Sequence, residues 1–568
     1  MRMSQLIGKR FKERPAGVAL EGQALLLRGG YVRQAGNGLY ALLPPGVRLA
    51  RKIEAIIRGE LDAAGYQEIA LPLSAPPEMW DETRQTQPPP DSIRFRDGAR
   101  QEWVLGASGN AATVAVLRNE LQSHAQLPGA VYAFRDEIRG SAQSGSGLVR
   151  AREGRVAQAC AFHSGAAALD AWFEAMTGAC ENILAECGLP RGELSPATAD
   201  PAGTTRAIIV PAEHGPTAVF TASGGAYCAT WDAARAAVPA YPEAPRPLEK
   251  VHTPDAATIA DVAACVGVAE RQTVKAVFYE RDKEGKPVVA ILRGDRDVNE
   301  VKIARILGVD PVPASPETIA AMGAAAGYGS PLGLDPRKVR IIADETVRNS
   351  NNLVAGANEE GYHYKNFNLE RDVPGLETVD IVQAEEGDPA PEGQGALTLQ
   401  RGIEAAFLCQ MDGSLTDPMG TRCSGESGAS LTPLMGALRL DLYAVMAAAA
   451  ERCRTEHGVT WPENIAPWQV HVHALKPSAP GVREAAETLY AGLRAEGLDA
   501  LYDDRDARPG VQFADADLLG APQRLIVSER NLAQNQVEYK RPGHPDAEML
   551  PLQECAALLR GRIPRNGG

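Results

Sequence analysis

PAYPEAPRPLEKVHTP (residues 239–254) and EEGDPAPEGQGALTLQRG (residues 385–402) decide the organisation of this chain. Proline- and glycine-rich composition of this kind belongs to linkers. Between the two stretches the pattern reads helix (256–266), strand (274–279), strand (288–292), helix (299–307) and strand (339–343), enough for an independent α/β domain. The segments on either side are then one domain interrupted by an insertion.

Outward on the N-terminal side, Leu25-Leu26-Leu27 and the run from Leu49 to Leu61 carry helical periodicity, broken by Gly36-Asn37-Gly38 and Pro44-Pro45-Gly46. Helix, hairpin, helix is the simplest reading. Residues 65–72 read as a strand closed by Pro72, and residues 100–240 alternate in the manner of an α+β domain. On the C-terminal side, after Ile465-Ala466-Pro467, the order strand (470–473), helix (482–496), strand (500–502), helix (513–519), strand (525–527) predicts a small domain with a mixed or parallel sheet. The resulting layout is 1–238 for the first part of a core, 239–395 for the insertion, 396–465 for the rest of the core and 466–568 for a terminal domain.

A length of 568 residues exceeds what one hydrophobic core supports. The composition, 44% hydrophobic and 23% charged with a mean hydropathy of −0.21, is that of a globular protein. It carries no long apolar run and no signal-like leader, so a cytoplasmic protein without membrane contact is expected. The nine cysteines are scattered and never form C-x-x-C, which argues against a disulfide framework and a zinc site. His471-Val472-His473 places two imidazoles on one face of a strand, but no third ligand is apparent, so solvent-facing histidines are expected and no metal is assigned. A net charge of −14 excludes a protein that coats nucleic acid indiscriminately, since phosphate binding needs clustered Lys and Arg. A nucleic-acid partner would be a shaped RNA met by a local patch rather than DNA.

Several strings coincide, in order, with one family. Met3-Ser4-Gln5-Leu6, Leu25-Leu26-Leu27-Arg28-Gly29-Gly30 leading to Gly38-Leu39-Tyr40, Phe134-Arg135-Asp136-Glu137, Asp503-Asp504-Arg505 and Pro509-Gly510-Val511-Gln512-Phe513-Ala514-Asp515 resemble bacterial prolyl-tRNA synthetase over nearly the whole chain. The resemblance implies an α+β class II synthetase core with an antiparallel sheet, an inserted α/β editing domain that clears mischarged alanyl-tRNA, a C-terminal α/β anticodon-binding domain, and a homodimer formed through residues 65–72.

Position by position, the resemblance divides. In the synthetic site, Arg135, Glu137 and Arg152 keep an ATP-binding remnant, while Gly154, Ala157 and Gln158 depart from the family pattern. The ATP-contacting arginine is replaced by Ala444, the proline-gripping Thr-His-Glu-Glu string reads Ser108-Gly109-Asn110-Ala111, and a Gly-His-Ile-Phe string reads Ala406-Phe407-Leu408-Cys409. Loss of preorganised cations where charge develops costs orders of magnitude in rate, so aminoacylation is expected to be lost, and ATP with Mg²⁺ is a cofactor only if that site works.

In the insertion the family strings stand. Lys275, Asp344 and His363 are the catalytic candidates, and Gly327, Gly329, Ser330 and Pro331 form the pocket loop. Read without the family, Lys275 is a solvated strand-end lysine and the loop a plain turn. At the C-terminal end, Arg505, Arg508, Glu538 and Lys540 resemble anticodon contacts. The expected activity is binding of proline tRNA with hydrolysis of its alanyl ester. A working ligase with a divergent pocket and a silent tRNA-binding or regulatory subunit are the alternatives.

Overall fold

The computed structural model describes residues 1–83, 93–105, 109–139, 147–225, 227–544 and 546–563. Two compact units emerge, one of residues 1–197, 204–217 and 401–568, the other of residues 198–203 and 218–400.

In the first unit the N-terminal pattern folds as it reads. Helix Glu21–Arg28 leads into the hairpin Val32–Gly36 and Leu39–Leu42, and then helix Pro44–Ala63 opens on two prolines whose missing N–H groups cost nothing at a helix start. Leu49, Ile53, Ile57 and Leu61 fall four apart and are fully buried. Each contributes roughly 1.5–3 kcal/mol of apolar burial. The residue 65–72 strand shrinks to Gln67–Glu68, which pairs parallel with Gly129–Ile138.

The sheet beneath these helices runs Thr205–Pro211, Leu397–Asp412, Leu434–Asp441, Glu153–His163, Gly129–Ile138, and its long neighbours pair antiparallel. Strand alternation sorts its residues by face. Tyr132, Ala157, Ala159, Ala161, Leu438, Leu440, Ala406 and Leu408 face a core shared with helices Ala166–Glu186 and Leu442–Arg452. The second of these helices has buried alanines from Ala447 to Ala450 because helix Glu21–Arg28 lies almost against its backbone: a side chain at Gly22 would collide with Ala447 and Glu451.

The C-terminal sheet has the strand order Ala500–Asp503, Val470–Ala474, Gln523–Val527, Gln536–Lys540, Glu548–Pro551. The first three are parallel and the last two antiparallel, so the sheet is mixed. Helices Val482–Ala495 and Cys555–Arg562 cover one face over an apolar core. The last two strands and the final helix extend the domain beyond the elements expected from sequence. One expectation is overturned here: His471 and His473 are both fully buried, because helix Pro509–Leu519 and the chain's N-terminus cover the sheet face they share with Leu501.

This domain is stitched to the core by polar contacts in apolar surroundings. The buried Tyr31 hydroxyl donates to the Leu519 carbonyl (2.8 Å) and accepts from Trp461 Nε1 (2.6 Å). Met1 and Arg2 reach Tyr490 and Glu487, and Ser4 bonds Asp504 twice.

In the second unit, sheet Val274–Tyr279, Val288–Arg293, Arg340–Asp344, Glu377–Val379 accompanies a smaller sheet of Glu249–His252, Tyr362–Phe367 and Leu353–Gly356. Strands Thr217–Ala222 and Cys228–Thr230, which precede Pro239, group largely with this unit. Lys302 is buried, with its ammonium donating to both Asp380 oxygens and to the carbonyls of Ala234 and Val382, a set of acceptors that compensates its desolvation. Among the described residues no helix is long and apolar enough to cross a membrane.

Replacing Tyr31 by Phe leaves a buried Trp N–H and a carbonyl without their shared partner, and stability is expected to fall by about 2–3 kcal/mol. Urea unfolding followed by tryptophan fluorescence checks this, and an unchanged midpoint would mean the hydroxyl is not a structural link.

Candidate functional site

The second face of the central sheet gathers the residues of the supposed synthetic site. Registers place Phe407, Arg439, Gln158 and Ala133 in one row and Asp441, Val156 and Arg135 in the next, with Glu137 beyond. The charges on this face satisfy one another. Arg439 donates to Glu137 (2.6 Å) and Asp441 (3.1 Å), while Arg139 donates to the same two carboxylates (3.2 and 2.9 Å). Burial alone would raise the Glu137 carboxyl, yet Arg439, Arg139 and Arg135 together hold it below the ordinary range. The Asp441 and Glu137 carboxylates raise the Arg439 pKa against its desolvation, so this cation stays charged and committed to them.

Asp441 is also the N-cap of helix Leu442–Arg452, accepting from the N–H groups of Tyr443 (3.0 Å) and Ala444 (3.1 Å). A helix N-terminus attracts anions through those N–H groups, and here a carboxylate already occupies them. Ala444 is buried in the core and projects nothing toward this face. Arg135 donates to Gln158 (3.4 Å), and Gln158 in turn donates to Asn110 on helix Gly109–Leu117. Arg152, half-buried, joins the edge through its backbone, donating its N–H to Gly38. Ser108 lies outside the described residues.

In the second unit the pocket loop closes on a histidine. His363, buried on strand Tyr362–Phe367, has Nδ1 2.7 Å from Thr253 Oγ1 and its ring 5.4 Å from that of Tyr328. Desolvation lowers its pKa, so the imidazole is neutral near pH 7. Asn358 clamps the loop: its Oδ1 accepts from Ser330 N (2.8 Å), and its Nδ2 donates to the carbonyls of Ser330 (3.1 Å) and Leu332 (2.7 Å). Gly329 presses on the Phe278 ring and Gly356 on the Tyr328 and Gly329 carbonyls, with no room for a Cβ at either place. Gly327 has φ +80 and Ser330 is fully buried ahead of Pro331.

Lys275 stands apart from this cluster. Ala276 and Phe278 face the loop, so strand alternation puts Lys275 on the opposite face of the same strand, where its ammonium pairs with Asp297. Asp344 is occupied as scaffold: Oδ1 accepts from Thr346 N (2.7 Å) and Oγ1 (2.6 Å), and Oδ2 accepts from Ile381 N (2.8 Å). With both oxygens engaged, Asp344 caps the start of helix Glu345–Arg348 and ties it to the strand end at Ile381. Thr253, Tyr328 and Asn358 join the loop and His363, and Asp297 joins Lys275, beyond the candidates named from sequence.

The anticodon candidates occupy two places on the C-terminal sheet. Glu538 and Lys540 share one face of strand Gln536–Lys540 and pair with each other (3.0 Å). Arg505 and Arg508 lie beyond strand Ala500–Asp503, three strand spacings away, roughly 14 Å. Arg505 is held by Asp503 (2.8 and 2.7 Å) and Asp515 (2.8 Å), so its first task is to fix the loop; Arg508 is exposed.

Comparison with known proteins matches residues 253–372 to the aminoacyl-tRNA editing domain and residues 469–562 to the anticodon binding domain. Among solved structures, prolyl-tRNA synthetase from Cryptosporidium parvum complexed with halofuginone and AMPPNP aligns at TM-score 0.55 with 10% identity, covering 95% of this chain and 78% of that one. The same protein complexed with L-proline and AMP aligns at 0.54 with 9% identity, over 95% and 75%.

Asp344→Asn turns one accepting oxygen into a donor facing an N–H group. A loss of about 1–3 kcal/mol is expected, read as a lower thermal midpoint for the editing domain in differential scanning calorimetry; a midpoint equal to wild type would mean these hydrogen bonds do not stabilise the domain.

Proposed function

We propose that this prolyl-tRNA synthetase-like chain, with its aminoacyl-tRNA editing and anticodon-binding domains, binds proline tRNA and hydrolyses alanine mischarged onto it, and no longer makes prolyl-tRNA. The observation that carries the reading is the closed charge balance on the core sheet. Amino-acid activation needs cations and helix N–H groups turned toward phosphate, each such preorganised contact being worth roughly 3 kcal/mol. Here Arg439 is committed to Glu137 and Asp441, and Asp441 takes the helix N-terminus. A nucleotide's phosphates would meet carboxylates where the chemistry requires cations.

The editing domain supports the other half. The 327–331 loop, packed without room for side chains, brings backbone close to a small acyl group and excludes a larger one, the logic of a size sieve. His363 is neutral and tethered by Thr253. With Nδ1–H donating to the threonine hydroxyl, Nε2 is left as the proton acceptor for a water. The water oxygen bonds the alanyl carbonyl carbon, the ester C–O bond to the ribose breaks, and the proton passes through His363 to the ribose oxygen. Lys275, on the strand face turned away from the loop and His363, acts as a point charge on a tRNA phosphate or 2′-hydroxyl rather than on the acyl group, exchanging its partner Asp297 for the tRNA. A homodimer in the cytoplasm is part of the same reading, by likeness to the family.

Purified protein incubated with alanyl-tRNA for proline is expected to release alanine, His363→Ala to slow release by roughly 10²–10⁴-fold, and Lys275→Ala to abolish it, while proline, ATP and uncharged tRNA yield no prolyl-tRNA. Accumulation of prolyl-tRNA would establish a working ligase and overturn the reading; absence of both reactions alongside tRNA binding would establish a silent binding subunit. Because burial lowers the His363 pKa, the deacylation rate is expected to stay level from neutral pH down to about 6.5, the unperturbed histidine value, and to fall only below it. A rate already halved near pH 7 would remove His363 as the base.

A further inference from the structure

One sheet face of the C-terminal domain holds a group of polar side chains that the tRNA reading does not use. His471 and His473 are two residues apart on strand Val470–Ala474, so they project side by side, with ring centroids 4.1 Å apart. The parallel register sets Asp503 directly across from His473. One ligand atom from each of the three residues lies within 4.8 Å of the others. Gln512, from helix Pro509–Leu519, lies against His473. All four residues are fully buried.

Their hydrogen bonding is incomplete in a directed way. Among the described residues, neither nitrogen of His471 has a hydrogen-bond partner, and His473 and Gln512 Oε1 lie against each other without forming a hydrogen bond of good geometry. The Gln512 amide is not loose: Nε2 donates to the carbonyls of Ala474 (3.2 Å) and Arg505 (3.1 Å), which fixes where Oε1 points. A buried polar atom left without a partner costs about 1–3 kcal/mol, and both His471 nitrogens are such atoms. The nearby guanidiniums are balanced. Arg505 is shared by Asp503 and Asp515, Arg524 pairs with Asp517 (2.7 Å), and Arg10 lies 3.7 Å from Asp515.

We propose that His471, His473 and Asp503, with Gln512 Oε1 as the fourth donor, form a closed structural site for a borderline divalent metal ion, Zn²⁺ above all, within the anticodon-binding domain. Two imidazole nitrogens and two oxygens suit Zn²⁺ or its first-row neighbours and disfavour Mg²⁺ and Ca²⁺, which take oxygen ligands. Tetrahedral Zn²⁺ places its donors roughly 3.3 Å apart, so the present spacing needs only side-chain rotation to close. Arg505 on Asp503 is then the outer-shell partner that orients a ligating carboxylate. The ion ties two strands to the helix after residues 505–508 and so fixes the loop offered to tRNA.

The test uses the full chain, purified without a histidine tag. Apo protein prepared with a chelator is titrated with Zn²⁺ and with Co²⁺, followed by mass-spectrometric metal content, visible absorption and thermal unfolding. One ion per chain retained through desalting, a tetrahedral Co²⁺ spectrum and a raised thermal midpoint are expected. His473→Phe, which keeps the ring packing against Phe513, is expected to weaken binding by roughly tenfold or more, and His457→Ala to leave it unchanged. Should His473→Phe fail to fold, X-ray absorption on the wild-type Zn²⁺ form decides: an N/O shell with imidazole scattering upholds the site, and sulfur ligation overturns it. Substoichiometric metal in the wild type, or equal uptake by His473→Phe, also overturns it.

Discussion

The pairing of strand Thr205–Pro211 with strand Leu397–Asp412 is the constraint on which the rest of the chain depends. The chain leaves the core sheet after the first strand and returns along the second, with Pro211 opposite Gly402 and Ala212 N bonded to the Arg401 carbonyl (3.0 Å). Adjacent antiparallel strands bring the two ends of the interruption to one point. A long insertion between neighbouring strands adds little loop-closure entropy, because that cost grows only logarithmically with length. Gly402 permits the approach, since a side chain there would strike Ile209 and the Val210 carbonyl. A complete domain fits between two neighbouring strands whose pairing continues to Pro211 and Gly402, with one register shift at Ile208/Ile209.

From that arrangement follow two sites whose electrostatics point in opposite directions. On the core sheet, two arginines and two carboxylates close into a network in which every charge has its counter-charge within about 3 Å. Such a network is held together by its own charges, while Arg135 on the same face meets Gln158 instead of a carboxylate. In the editing domain the loop and His363 are held by neutral hydrogen bonds through Asn358 and Thr253. The same contrast recurs in the C-terminal domain, where Arg505 is bound to its own carboxylates and Arg508 stands exposed.

The local patterns translated well wherever a segment's own periodicity decides its structure. Helix Pro44–Ala63 lies where spacing put it, because apolar residues four apart leave one burial face, and strands Val274–Tyr279, Val288–Arg293 and Val470–Ala474 lie where short runs rich in β-branched residues put them, the last two buried on both faces. Strands Gln536–Lys540 and Glu548–Pro551 were not read: the first does alternate, with Val537 and Tyr539 buried between polar residues, but over only five positions, and the second is an edge strand that depends on its one neighbour. Asp344 shows the same limit for single residues. A carboxylate after an apolar strand has the same sequence signature whether it caps a helix or positions water, and only the three donors around it decide.

Sequence by itself determined the order of domains, the interruption, the family likeness and the residue types at each site, since composition, periodicity and motif strings are local properties. Tertiary structure alone decided what those residues are doing. It set Lys275 across a strand from His363, committed Arg439 to Glu137 some three hundred positions away, and buried His471 and His473 under a helix that begins at Pro509. The physical reason is the same in each case: a charged or polar group acts according to the partner it meets and the water it loses, and both are fixed by contacts between distant parts of the chain.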